Sequence, residues 1–393
     1  MNRNISLYAL GFLLCGFTTV ASVSLQGNND LNAWGGSQLT SNHIARKSHP
    51  WCEGVYEPTT ANCKKYDFGP SSTNSCIEPK NCTTFYDIHD FKTGNQTASA
   101  IKFAELITNV FENGNTKMGY AYVQALGDGR GYTCGYIGFT TGTNDANYVV
   151  QQFNKRFPKS TVFAKYTKEL ERLSALPYCD NKNARNDTSG LQGFPKVWAD
   201  QACHNPDFVE TQLDTGRAMY VEPAMRFAAQ YNVTSPLGFA LFYDTIIQHG
   251  WQYTEPTINL PRILHFTGAR SSFKSEYEYL QAFLKNRRQL MCCVTGDDDT
   301  WASSADRVED LQRVLTDWTG NKDLEHPVTL KNYGVTVKGT EQINYDTAEC
   351  SSKTAPKDWT LPASATVILP TSCTNTTKKR QLVHRRRRES SFS

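Results

Sequence analysis

Two carboxylates 16 residues apart, Glu112 and Asp128, sit in local patterns that would hold both of them in place. Ile101, Phe103, Ala104, Leu106, Ile107, Val110 and Phe111 recur at intervals of three and four, as a buried helix face requires, and Gly114 follows as a stop. Glu112 therefore falls at the end of a helix that starts near Thr97. Asp128 lies in Gly127-Asp128-Gly129-Arg130-Gly131, a run suited to a tight turn whose glycines leave the acid unshielded. Two acids delivered by different elements suit hydrolysis of a glycosidic bond, where a carboxylic acid protonates the leaving oxygen and a carboxylate activates water or attacks directly. Each acid alone also has a plainer reading, since helix ends commonly carry solvated glutamates and hairpin turns commonly carry aspartates.

Other chemistries lack their signatures. The glycine-rich run is followed by a strand pattern rather than a helix, has no G-x-x-x-x-G-K-[ST] pattern, and carries an acid that would repel phosphate. Neither H-E-x-x-H nor G-x-S-x-G occurs. Cys134 with His249 is only a loose thiol and imidazole pairing, and Cys134 is expected in a disulfide or as a buried thiol. With no C-x2-C pair, and with Cys292 and Cys293 adjacent, no zinc site is expected, and neither a metal nor a cofactor is implied.

The elements that must position the acids follow from the hydrophobic pattern. Tyr120, Tyr122, Gln124 and Leu126 alternate with smaller residues as in a strand, and a second, aromatic strand is expected from Tyr132 to Phe139. Helices are expected over 145–156, 162–176, 206–230, 237–248, 275–291 and 305–318. No repeat and no regular alternation of strand and helix is visible, so the fold class is mainly α (α+β) with a small sheet. The chain divides into a signal peptide (1–21), a Cys/Asn/Ser-rich extension (22–96), a catalytic domain (97–340), a Cys-containing strap (341–377) and a basic disordered tail (378–393).

The composition fits export. Arg3, an apolar stretch from Ile5 to about Phe17 and small residues up to Ala21 read as a cleavable secretory signal, too short for a membrane span. Of 12 cysteines, one, Cys15, lies in that signal, and the eleven others suit disulfides made in an oxidising compartment, with one left over. Asn81, Asn95, Asn186, Asn232 and Asn375 open Asn-x-Ser/Thr sequons. The net charge of +3 belongs to the ends: without Arg3 and the 378–393 tail, the 41 basic and 38 acidic residues become 33 and 37, a body of about −4. A nucleic-acid partner is not expected of such a body. The expected product is a monomer, soluble and extracellular once the signal is removed.

The run from Gly127 through Thr133, followed by Ile137-Gly138-Phe139 and Gly142-Thr143-Asn144-Asp145, resembles the active-site signature of the glycoside hydrolase family 46 chitosanases. The similarity extends from about Ala98 to Gly339, about 240 of 393 residues. It includes Tyr220-Val221-Glu222-Pro223, Phe242-Tyr243-Asp244 through His249-Gly250, Phe283-Leu284 through Arg287, Asp297-Asp298-Asp299-Thr300 and Arg307-Val308. The resemblance implies a lysozyme-like, two-lobed fold with a small β-sheet beside a substrate cleft, and inverting endo-hydrolysis of β-1,4 linkages between glucosamine units of chitosan. It makes Glu112 the general acid, Asp128 the general base and Thr133 the residue that positions the attacking water. Arg130 would support the catalytic turn, Asp145 and Asp298 would bind substrate amines, and Tyr122 would line the cleft. Asp244, Arg287 and Arg307 match a buried charge network that tunes the acid, and they also read as structural ion pairs.

Three departures from the family pattern stand out. The stretch between Glu112 and Asp128 is about two residues shorter, Val294 replaces an expected substrate-binding acid, and the segment before Arg307 is longer. Cys292 and Cys293 are candidates for bracing that region. Two further functions stay open at this level: a lysozyme-like hydrolase of peptidoglycan or partly acetylated chitin, and a non-catalytic secreted carbohydrate-binding protein. A negative body lined by Asp145 and Asp298 favours the polymer whose amines are protonated.

Overall fold

The computed structural model describes residues 49–66, 88, 91–127, 129–176, 185–251, 258–293, 300–341, 343 and 350. Asp128, Val294, Asp298, the signal, the basic tail, the sequons at Asn81 and Asn375, and Cys76, Cys82, Cys179 and Cys373 lie outside the described residues.

Thr97 and Gly114 set the limits of the helix that carries Glu112. After two 3-10 turns, Pro50–Cys52 and Gly54–Tyr56, and the short α1 (Thr60–Lys64), the helix α2 spans Ala98–Asn113. Thr97 Oγ1 accepts from the Ala100 amide at 3.1 Å, and Gly114, in the left-handed region at φ 72°, donates its amide to the Val110 carbonyl. A sheet of β1 (Val123–Ala125), β2 (Tyr132–Cys134) and β3 (Phe139–Thr140) follows, antiparallel in the order β1-β2-β3. Its register places Thr133 opposite Gln124 on one side and Thr140 on the other. The single strand expected from Tyr132 to Phe139 is two strands, because the chain turns at Gly135 and Gly138.

Helices make up most of what remains: α3 (Asp145–Arg156), α4 (Ala164–Ala175), α5 (Phe194–His204), α6 (Pro206–Gly216), α7 (Glu222–Gln230), α8 (Pro236–His249) and α9 (Leu260–Thr267). After them come α10 (Glu276–Cys293), α11 (Thr300–Ser303), α12 (Asp306–Thr316), α13 (Trp318–Asn321) and a hairpin of β4 (Val328–Leu330) and β5 (Val335–Val337). The architecture is mainly helical with a small antiparallel sheet, as the periodicity implies. The helix expected over 206–230 is broken by a π turn at Arg217–Val221. Pro223 explains it, since it has no amide to give to the Met219 carbonyl four residues back. That carbonyl accepts from Trp251 Nε1 at 3.3 Å instead, and the Glu222 amide reaches back to Arg217.

Two packed regions support the site. Phe153, Phe163, Phe208 and Trp198 pack edge to face, with Trp198 and Phe208 4.9 Å apart, Phe194 lies tilted against Trp198, and Trp198 Nε1 donates to the Tyr120 carbonyl ahead of β1. The almost wholly buried α8 packs along α2, capped by Ser235, whose Oγ accepts from the Gly238 amide at 2.9 Å.

The segment 49–66 is fastened to the end of α10 by Cys52–Cys292 and Cys63–Cys293, and Cys203–Cys350 ties α5 to the later chain. Arg288 reinforces the joint by stacking on Tyr56 at 4.3 Å and donating to the Trp51 carbonyl. These bridges interleave along the chain, Cys52 with Cys292 and Cys63 with Cys293. Once one closes a loop of 240 or 230 residues, the other closes a ring of only about a dozen, which on the chain-entropy account stabilises by about 3 kcal/mol rather than about 5. Serine replacement of either cysteine pair should therefore cost about 3 kcal/mol, and of both pairs more than the sum of the two. Urea unfolding followed by tryptophan fluorescence reads this directly, and additive losses would show that the bridges act independently.

Candidate active site

Glu112 ends α2 with only 8% of its surface exposed, and Arg307 Nη1 donates to its Oε1 at 2.6 Å. Most of the Arg307 guanidinium is engaged elsewhere: Nε donates to the two oxygens of Asp244 at 3.0 and 3.1 Å, and Nη2 to Oδ1 at 2.7 Å. Arg287, on α10, donates Nη1 to Asp244 Oδ2 at 2.7 Å and Nη2 to Gln248. Asp244, on α8, is thus shared by two cations, and Thr108 of α2 adds a hydrogen bond at 3.2 Å. Four helices meet at this network: α2, α8, α10 and α12.

Burial alone would push the Asp244 carboxyl up, yet Arg307 and Arg287 outweigh it and hold the group below the usual carboxylate range. Burial lowers Arg287 to about 10 against the pull of Asp244, which leaves it charged at any working pH. For Arg307, Asp244 and Glu112 more than offset burial and keep the guanidinium above its ordinary value. The network therefore stays ionised around a carboxyl that has one oxygen fixed. Among the described residues, nothing bonds Glu112 Oε2.

The second group surrounds the glycine-rich turn. Arg130 and Thr133 are buried, and the Thr133 Oγ1 has no hydrogen-bond partner among the described residues. The strap that follows β3 backs the turn: the Thr141 amide donates to the Tyr132 carbonyl at 3.0 Å, and the Gly142 amide to the Arg130 carbonyl at 2.8 Å. Asp145 heads α3, where its Oδ1 accepts from the Thr140 amide at 2.8 Å and Thr143 Oγ1 at 2.7 Å, while nothing described bonds its Oδ2. Burial pushes the Asp145 carboxyl up against those hydrogen bonds. Tyr122 precedes β1, half-buried, with its hydroxyl donating to Gln124. The two groups adjoin where Asn113, next to Glu112, reaches the Tyr136 carbonyl between β2 and β3.

A second buried ion pair went unread in the sequence. Arg217, in the π turn, forks onto Glu105 with Nε and Nη2 at 2.8 and 2.6 Å, and both side chains are almost fully buried. Glu105, Thr108 and Glu112 follow one another at helical spacing in an apolar helix, and that polar stripe was the available signal. Burial raises Glu105 against the pull of Arg217. Cys134 is a free, buried thiol in β2, raised by burial and by Asp145. His249 ends α8 against the Trp301 ring at 4.7 Å, and burial with Arg287 and Arg307 keeps its imidazole neutral. Neither has the activated setting of a nucleophile and its base. Among the described residues, no group of three His, Cys, Asp or Glu side chains could hold a metal ion, and no helix is long and apolar enough to cross a membrane.

A mainly helical scaffold that presents a nearly buried glutamate beside a small sheet and its glycine-rich turn defines a hydrolase of the glycosidase class. The sequence profile of glycosyl hydrolase family 46 matches residues 106–328, and the chain belongs to that family. It is 34% identical over 235 residues to a chitosanase of Bacillus subtilis, covering 58% of this chain and 80% of that enzyme. Its fold matches native chitosanase from Bacillus subtilis MY002 with a TM-score of 0.53 at 32% identity, over 62% of this chain and 100% of the other. A family 46 chitosanase of Gynuella sunshinyii in complex with chitotetraose matches with a TM-score of 0.52 at 30% identity, over 62% and 98% of the two chains.

Proposed function

We propose that this protein is a secreted, monomeric chitosanase that hydrolyses β-1,4 linkages within chitosan, with inversion at the anomeric carbon. Glu112 gives its proton to the glycosidic oxygen as the bond to the anomeric carbon breaks. Asp128 takes a proton from the water that attacks the opposite face, and the Thr133 hydroxyl orients that water. The observation that carries the acid assignment is the 2.6 Å bond from Arg307 to Glu112 Oε1, which fixes one oxygen of the carboxyl and leaves the other for the linkage. Thr133 supports the reading with a buried hydroxyl that lacks a protein partner among the described residues.

Chitosan is the substrate because the relatives in the family act on it and because the body of the chain is negative. Asp145, through Oδ2, and Asp298 are the acids for its ammonium groups, Arg130 supports the turn and Tyr122 lines the groove. Arg287 and Arg307, held by Asp244, keep the acid in position. No metal or cofactor enters these steps. Asn95, Asn186 and Asn232 are exposed and suit glycosylation along a secretory route.

Anomer-resolved NMR of fully deacetylated chitosan oligomers tests substrate and stereochemistry together. The α-anomer should appear first from a β-linked substrate, with little release from bacterial cell walls or chitin. A first-formed β-anomer, or preference for cell walls, would overturn the proposal. In the same assay Thr133→Ala should lose less turnover than Asp128→Asn, since positioning a water is worth less than removing its proton. The reverse order would make Asp128 a structural turn residue.

A further inference from the structure

Behind the catalytic turn stands a buried cation that the proposed mechanism leaves unused. Arg185 follows α4, and among the described residues its guanidinium holds three acceptors from two separate segments. Nε donates to the Gly142 carbonyl at 2.6 Å, Nη2 to Asn144 Oδ1 at 2.8 Å, and Nη1 to the Leu176 carbonyl. The side chain is about nine-tenths buried, where such charge-assisted bonds are at their strongest.

What Arg185 grips is the strap that backs the turn. Gly142 lies so close to the turn that a Cβ there would meet the Arg130 carbonyl oxygen at 2.8 Å and carbon at 2.9 Å, and its amide donates to that same oxygen. A Cβ on Gly131, at φ 78°, would strike Thr141 Oγ1, which itself accepts from the Tyr132 amide at 3.0 Å. At Gly142 and Arg130 the strap and the turn thus touch backbone to backbone, and beside them the Thr141 hydroxyl is wedged against Gly131, so little is left to absorb a shift. Asn144 sits in the left-handed region at φ 81°, and Arg185 binds its side chain at that bend. A displacement of Gly142 would pass directly to Arg130, two residues from Asp128.

We propose that Arg185 is a positioning residue for the base, acting through Gly142 and the Arg130 carbonyl on the turn that carries Asp128. The inference rests on Asp128 being the base. Misplacing a reacting group by about 1 Å can cost up to about 10²-fold in rate. Arg185→Ala should therefore lower kcat on chitosan hexamer about tenfold or more, with KM changed by less than about threefold, and millimolar guanidinium should restore part of the loss. Arg185→Lys, which keeps the charge but not the fork, should fall between wild type and Arg185→Ala and serves if the alanine variant does not fold.

The decisive comparison is Asp128→Asn with and without Arg185→Ala. If Arg185 acts through the base, the second change should cost almost nothing once the base is gone. Losses that multiply, or an unchanged kcat in Arg185→Ala, would overturn the proposal. Failure of the base assignment is seen separately, as near wild-type turnover in Asp128→Asn alone.

Discussion

Glu112→Gln should lower the turnover of deacetylated chitosan by about 10²-fold or more, with little change in KM or thermal midpoint. The amide has the shape of the carboxyl and keeps an oxygen that can accept from Arg307 Nη1, so the 2.6 Å contact has a substitute. Arg307 also retains its three bonds to Asp244, and loss of the Glu112 charge does not strand it. What the variant lacks is a transferable proton at the position of Oε2. Because protonation of the leaving oxygen is worth energy only in the transition state, the loss falls on kcat rather than on binding. Reducing-end release under saturating substrate measures it, and near wild-type activity in a folded Glu112→Gln protein would refute the acid role. A large fall in thermal midpoint would mean that the carboxylate is a structural partner of Arg307 first.

Much of this arrangement is legible in the sequence wherever the signal is local. The helix that carries Glu112 shows its apolar spacing and both of its punctuating residues, Thr97 and Gly114, and α3 begins and ends where its periodicity does. The break within 206–230 could have been inferred from Pro223, but an apolar pattern that runs unbroken through the site masks it. Non-local pairings are different. Cys52 and Cys63 stand near other cysteines in the chain yet bond to Cys292 and Cys293, more than 200 residues away, and no spacing rule specifies that choice. Glu105 and Arg217 lie 112 residues apart and are joined only because the π turn brings Arg217 against α2. Arg185 lies in a stretch with no helical period, and its importance follows from the close approach of Gly142 to the turn. The family signature was readable because it is contiguous. The supports behind it are scattered along the chain, and only the fold collects them.

Asp244→Asn should be the most destabilising single change in the network, costing about 3–5 kcal/mol. Asp244 is completely buried, as is Arg287, and Arg307 is nearly so. Replacing the carboxylate by an amide of the same size opens no cavity, so the loss is electrostatic: two guanidinium groups remain in a low-dielectric interior with only part of one carboxyl, Glu112, to balance them. At about 2–4 °C per kcal/mol for a domain of this size, the thermal midpoint should fall by about 10 °C. The pH dependence has a definite sign. A carboxyl held below its ordinary value when folded contributes stability above its unfolded pKa of about 4, and that contribution is lost as the pH falls through the lower folded value. Wild type should therefore lose stability in acid through this group while Asp244→Asn lacks that component, and the two should converge at low pH. Adding Arg287→Met to Asp244→Asn removes one stranded cation with the anion and should recover part of the loss, whereas Arg287→Met alone should destabilise. If Asp244→Asn unfolds within about 1 kcal/mol of wild type at neutral pH, the buried charges are balanced by some other group and the network does not hold Glu112 in the way argued above.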